Sequence, residues 1–167
     1  MTKVLAGITT SVDGCVAGPD DGPEKGLGEG GERLHHWVFG GPWTYDEEPR
    51  GEATGEDAAW LADAFSRIGA VVAGRWTYEA SGHWGGENPW KVPLFIVTHR
   101  PEEEPEGAGF TFVSGVQEAV EQARQAAGQK DVHVMGGADV IRQSLELEQL
   151  GVRQSQYATF IDYRVKR

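Results

Sequence analysis

Apolar runs alternate with amphipathic stretches along most of this chain. Short apolar runs typical of buried strands lie at residues 4–9, 70–73, 93–98, 110–113 and 132–135, with a further strand predicted at 157–163. Apolar residues at helical spacing fall at residues 57–67, 116–127 and 138–150, and a short helix is predicted near 77–81. Strands that alternate with helices predict an α/β fold with a mostly parallel sheet covered on both faces.

Residues 18–56 interrupt this pattern with a long stretch rich in glycine, acid and proline. Bulky aromatic residues, among them Trp37 and Trp43, are embedded in it, and 32–39 could form a short helix. A loop this long in a compact domain is usually functional or disordered, and its aromatics favour a loop folded onto the body. We expect an active-site cover in which Trp37 and Trp43 contact substrate, with Asp13 beneath it. The alternative is a cover that only shields a sheet edge.

Length, charge and cysteine content limit the classes of protein to which this chain can belong. The 167 residues predict one domain over 1–167. A net charge of −11 argues against nucleic acid or an anionic membrane as partner. The single cysteine, Cys15, excludes an internal disulfide, and the histidines lack the spacing of a metal site. With no long apolar stretch and no signal peptide, we expect a cytoplasmic protein with a small-molecule ligand.

Small, hydroxyl and basic residues follow three of the predicted strands. The motifs are Gly74-Arg75-Trp76-Thr77, Thr98-His99-Arg100 and Gly136-Gly137-Ala138. In open α/β sheets, ligands bind outside the carboxyl ends of the strands, and free backbone N–H groups there attract anions. The three motifs together predict a nucleotide cofactor at one edge of the sheet. Each motif taken alone could instead be a strand-to-helix turn or a solvated strand end.

Four motifs in order along residues 3–147 carry a family resemblance. They are Ser11-Val12-Asp13-Gly14, residues 74–79, residues 93–100 and residues 134–143. The chain resembles the dihydrofolate reductase-like superfamily, and within it the reductase domain of the bacterial riboflavin-biosynthesis deaminase–reductase and its stand-alone relatives.

The resemblance implies a three-layer α/β/α fold and NADPH as the hydride donor. It implies that residues 74–77 and 136–138 contact the cofactor phosphates, with Thr98 and Arg100 near the adenosine 2′-phosphate. The cofactor-binding set is therefore Gly74, Arg75, Thr77, Thr98, Arg100, Gly136, Gly137 and Ala138. Asp57 resembles the substrate-binding carboxylate of dihydrofolate reductases, so Asp57 and Asp13 are the candidate catalytic residues. Alternatively, Asp57 is the N-cap of a helix over 58–67.

The tail departs from the family pattern. Family members continue after the last helix with an antiparallel hairpin, whereas residues 151–167 leave room for one strand and not for a hairpin. The sequence therefore predicts that the C-terminal hairpin is missing or replaced, which leaves an exposed sheet edge. A homodimer or the segment 18–56 would then cover that edge.

Three functional classes follow from these observations, the third of which is a structural or interaction module assembled through the tail. The first is an NADPH-dependent reductase of a small heterocyclic, pteridine- or pyrimidine-like, or carbonyl substrate. The second is a non-catalytic protein that binds a nucleotide or small ligand on the same fold.

Overall fold

A computed structural model of the chain describes residues 2–47, 51–100, 109–144 and 146–166. Its strands are β1 (Val4–Ala6), β2 (Ile68–Gly74), β3 (Leu94–Val97), β4 (Phe110–Val113), β5 (Asp131–Gly136), β6 (Glu146–Gln154) and β7 (Thr159–Lys166). Its α-helices are α1 (Gly55–Arg67), α2 (Arg75–Ala80), α3 (Val116–Ala127) and α4 (Ala138–Ser144), and 3-10 helices span Gly31–His35 and Gly82–Gly86. None of these helices is long and apolar enough to cross a membrane.

Within the described residues, β1 to β5 form one sheet in the order β1-β5-β2-β3-β4. Every pairing in it is parallel, with Val4 opposite Val132 and Val71 opposite Leu94. This arrangement confirms the parallel α/β sheet that the sequence predicts. Because the strands run the same way, the residues that follow them meet at one edge of the sheet.

The sheet separates two apolar layers. On one face, Val72, Val132 and Val134 pack against α3 and α4, where Ala119 and Ala123 are fully buried and let α3 approach closely. On the other face, Tyr78 of α2 packs with Phe112 and other residues of the opposite sheet surface. Helix α1 joins this second layer through the contact of Phe65 with Trp90. The fold is thus the three-layer α/β/α arrangement that the resemblance implies.

The prediction that the C-terminal hairpin is missing or replaced is wrong. A hairpin is present, because β6 and β7 pair antiparallel with Gln154 opposite Thr159. Helix α4 ends at Ser144 rather than at residue 150. The register shifts between Gln149 and Gly151, which breaks the alternation of apolar residues that marks a strand. For that reason the run resembles an extension of α4. Strand β7 lies beside β1, and the homodimer expected from an open edge stays a prediction.

The described part of segment 18–56 is folded onto the body, as expected from its aromatics. Trp37 is buried and packs edge-on against Trp60 of α1 and against Phe160 of β7. The Trp76 indole Nε1–H donates a hydrogen bond of 2.7 Å to Asp21, which ties the segment to α2. The hydroxyl of Tyr45 accepts a hydrogen bond of 2.7 Å from the backbone N–H of Leu27. The contacts of Trp37 and Asp21 anchor the segment to the body, and the bond between Leu27 and Tyr45 holds the segment together internally.

Candidate functional site

Two of the predicted motifs touch at the carboxyl edge of β2 and β5. A Cβ placed on Gly74 would lie 3.2 Å from the backbone nitrogen of Gly137 and 3.1 Å from Val140 of α4. Glycine at position 74 therefore allows the turn into α2 to approach the turn into α4 closely. The Gly136–Gly137 peptide bond at this junction is cis.

Thr77 joins the same junction from the first turns of α2. A Cβ on Gly136 would lie 3.1 Å from the Thr77 Oγ1, and one on Gly137 would lie 3.5 Å from it. The second distance is an ordinary van der Waals contact, and Thr77 is the only neighbour within 4 Å there. Among the described residues, the position that a Cβ of Gly137 would take is open apart from Thr77, so this side of the turn has room for a ligand atom. The structure brings Gly74, Thr77, Gly136 and Gly137 together, with Ala138 next in the chain.

The basic residues of the first two motifs meet at one carboxylate. The Arg75 Nε–H donates a hydrogen bond of 2.7 Å to Oε1 of Glu79, four residues along α2. The Arg100 Nη2 contacts the same Oε1 at 3.4 Å. The Arg75 guanidinium also lies over the rings of Tyr78 and Phe112, at 5.8 and 5.6 Å from their centroids. Arg75 and Arg100 therefore lie side by side, as a shared phosphate contact requires.

Thr98 lies in the turn that precedes Arg100. Its side chain is buried, and its Oγ1 accepts a hydrogen bond of 3.1 Å from the backbone N–H of Arg100. Its own N–H donates to the carbonyl of Val113. The hydroxyl thus shapes the turn that presents Arg100.

A cleft of about 2590 Å³ wraps around the edge strand β1. Its lining includes Trp37, Trp43, Gly137 and Ala138, so the predicted cover residues and the glycine turn border one space. Trp43 packs between Phe39 and Tyr45, while the Trp37 Nε1–H donates to the Thr9 hydroxyl at 3.2 Å. The volume exceeds the roughly 300–1,000 Å³ of drug-sized ligand sites, because the cleft is open surface space that continues from Trp60 of α1 around β1 to Val120 of α3.

The two candidate acids occupy different environments. Asp13 is exposed in the turn after β1, where a hydrogen bond from the Ser11 hydroxyl lowers the pKa of its carboxyl. Asp57 is only 5% exposed, and its Oδ1 accepts no hydrogen bond from any residue that the structure describes. Buried polar atoms are normally hydrogen-bonded, so Asp57 is the acid whose surroundings suit a ligand contact.

The interpretation of Asp57 as an N-cap is wrong. Helix α1 begins at Gly55 with Thr54 as its N-cap residue, so Asp57 lies inside the first turn. Helix α1 leads directly into the start of β2, and its Phe65 packs against Trp90. Asp57, at the N-terminal end of α1, is not among the residues that line the cleft, and neither is Asp13.

Sequence reasoning missed two residues of this region. Glu79 follows Arg75 at the i,i+4 spacing of helical ion pairs, and that spacing was the available signal. His133 faces the cleft from β5, where burial lowers the pKa of its imidazole to about 4. Its ring packs against Trp90 at 5.9 Å between centroids, and its Cε1 would lie 2.8 Å from a Cβ on Gly7.

Comparison with known proteins supports the fold. No protein-family model matches the chain, and no curated protein matches it. A proposed riboflavin biosynthesis protein from Shewanella sp. PV-4 superposes with a TM-score of 0.61 at 18% identity, over 100% of both chains. A dihydrofolate reductase from Enterococcus faecalis, complexed with NADP(H) and RAB-propyl, superposes with a TM-score of 0.51 at 15% identity, over 98% of this chain and 97% of the other. The chain therefore has the dihydrofolate reductase-like fold, which confirms the fold that its motifs imply.

Proposed function

We propose that this protein is an NADPH-dependent reductase that transfers a hydride to a small heterocyclic or carbonyl substrate. The observation that carries the proposal is the continuous line of groups along one sheet edge. It runs from the Gly136–Gly137 turn through Gly74 and Thr77 to the pair Arg75 and Arg100. A dinucleotide needs this sequence of contacts: open backbone for its pyrophosphate and guanidinium groups for its phosphomonoester.

The residues present fit an NADP-type dinucleotide. The space next to Gly137 leaves room for a phosphate against the backbone, and Thr77 offers a hydroxyl beside it. Arg75 follows β2, next to the glycine turn after β5, and Arg100 follows β3, one strand farther from that turn, where the adenosine end of an extended dinucleotide would lie. The Enterococcus faecalis dihydrofolate reductase, which has the same fold and is complexed with NADP(H), supports this assignment.

The cofactor supplies the hydride, and the protein positions the substrate and excludes water. The cleft beside β1 would hold the substrate, with Trp37 and Trp43 from segment 18–47 forming part of its wall. Asp57 does not line this cleft, so a substrate would have to reach beyond it for the Asp57 carboxylate to hold a polar edge of a heterocycle or move a proton; its Oδ1 has no protein partner among the described residues. Asp13, exposed and bonded to Ser11, is proposed only as a group at the cleft mouth.

A non-catalytic ligand-binding protein is the second candidate. The observation that favours it is that Asp57 is the one buried carboxylate among the described residues, so catalysis would rest on a single acid. Binding of the cofactor would be the same in both cases, and only turnover separates them.

The test is a titration followed by a turnover assay. With six tryptophans in the chain, bound NADPH should quench the intrinsic fluorescence, and NADPH should bind more tightly than NADH. Oxidation of NADPH is then followed by absorbance with pteridine, pyrimidine and carbonyl substrates. Saturable binding with turnover supports the reductase. Binding without turnover supports the second candidate, and failure of both dinucleotides to bind contradicts both.

A further inference from the structure

Glu79 is the one acidic side chain placed between the two arginines of the site in the described structure. A single oxygen, Oε1, contacts the Arg75 Nε at 2.7 Å and the Arg100 Nη2 at 3.4 Å. These nitrogens therefore lie no more than about 6 Å apart. Arg75 is 20% exposed and Glu79 25%, whereas Arg100 is 53% exposed.

We propose that Glu79 is a positioning residue that sets the preference for a cofactor bearing a 2′-phosphate, by holding Arg75 and Arg100 together as a clamp. The proposal rests on the proposed function, since it assumes that a dinucleotide lies along this edge. Two guanidinium groups repel each other when they approach, and a carboxylate between them offsets that repulsion. A clamp organised before binding lowers the entropy cost of recognising its ligand.

The dimensions of the clamp fit a phosphomonoester. The single Arg75 Nε–H is used by Glu79, so a phosphate would be contacted by the terminal Nη groups of Arg75 and Arg100, through charge-assisted N–H···O contacts of about 2.8 Å. A 2′-hydroxyl lacks the charge and the second oxygen. The position also agrees, because Arg75 directly follows Gly74, which touches the Gly136–Gly137 turn proposed to hold the pyrophosphate. The ligand is therefore a phosphate that belongs to a dinucleotide already placed by that turn.

The negative charge of Glu79 has a second effect on phosphate binding, which opposes its role as a positioning residue. The direction in which binding changes on substitution of Glu79 separates the two effects. As an anion, Glu79 would repel a phosphate and weaken its binding if it acted only through its charge. As a positioning residue it strengthens binding, because the arginines converge only while Glu79 holds them. Removal of its charge with the shape retained therefore gives opposite results under the two views.

The test measures the dissociation constants of NADP⁺ and NAD⁺ by tryptophan fluorescence in the wild type and in Glu79→Gln. Glu118→Gln is the matched control, because Glu118 is exposed on α3 and gives the same change in net charge away from the site. We expect Glu79→Gln to weaken NADP⁺ by about five- to tenfold and to change NAD⁺ less than twofold, as an effect on one charge-assisted contact. Glu118→Gln should change neither.

A second comparison shows whether weaker binding in Glu79→Gln comes from loss of the clamp or from a general disturbance of the fold. In the background of Arg100→Ala, the change Glu79→Gln should have a smaller effect on NADP⁺, because the partner that it positions is gone. Unchanged or tighter NADP⁺ binding in Glu79→Gln overturns the proposal, as does equal weakening of NADP⁺ and NAD⁺. If the wild type binds neither dinucleotide, the proposed function itself fails, which is a distinct result.

Discussion

We expect His133 to make the stability of the protein depend on pH between about 6.5 and 4. An imidazole in the unfolded chain has a pKa of about 6.5, whereas burial in the folded protein lowers the pKa of His133 to about 4. Between these values the unfolded chain binds more protons than the folded one, so the free energy of unfolding falls as the pH falls. At about 1.4 kcal/mol per pKa unit, the loss amounts to about 3 kcal/mol from neutral pH to about pH 4. That is a large share of the roughly 5–15 kcal/mol by which domains are stable.

The assay is urea unfolding, followed by tryptophan fluorescence, at several pH values from about 7.5 to 4. His133→Gln should lose about 3 kcal/mol less than the wild type over this range, whatever its stability at neutral pH. His99→Gln is the control, because His99 is exposed after β3, and it should follow the wild type. The comparison of slopes removes the contribution of carboxyl groups that titrate in all three proteins. Parallel curves for the wild type and His133→Gln would refute the buried, neutral imidazole.

Three further predictions concern the site. Arg100→Ala should weaken NADPH by about tenfold and leave NADH nearly unchanged in fluorescence titrations, because it removes one exposed phosphate contact; equal loss for both cofactors would count against the assignment. Gly137→Ala should weaken both cofactors at least tenfold, because the added Cβ occupies the space meant for a phosphate, while a 3.5 Å contact with Thr77 leaves the melting temperature close to that of the wild type. Undiminished cofactor binding would show that Gly137 serves only the turn. Asp57→Asn should lower turnover by about a hundredfold or more and keep NADPH binding within twofold. Full activity of this variant, measured by the absorbance change on NADPH oxidation, would exclude Asp57 from the reaction.

The parallel sheet could be predicted because each of its strands has a local apolar pattern. Strand β2 is buried along its whole length, and strand β4 has the bounds that its alternation predicts. The three strand-end motifs could be predicted for the same reason, since a parallel sheet brings them to one edge. These features depend on short stretches of sequence and on topology alone.

The hairpin and the contacts within the site depend on more than local pattern. The shift between Gln149 and Gly151 hides the alternation of β6, so no periodicity marks that strand. The start of α1 at Gly55, with φ of 57°, depends on backbone geometry that a helical stripe beginning near Ala58 does not reveal. The meeting of Glu79 with Arg100 and the packing of His133 against Gly7 join residues far apart in sequence, and only the fold brings them together.

The most direct test of the account is a crystal structure of the protein with NADP⁺. The account predicts the pyrophosphate against the Gly136–Gly137 turn and beside Thr77. It also predicts the 2′-phosphate within hydrogen-bond distance of Arg75 and Arg100, with Glu79 still between them. A dinucleotide bound elsewhere on the protein, or crystals grown at saturating NADP⁺ with no dinucleotide along this edge, would contradict it.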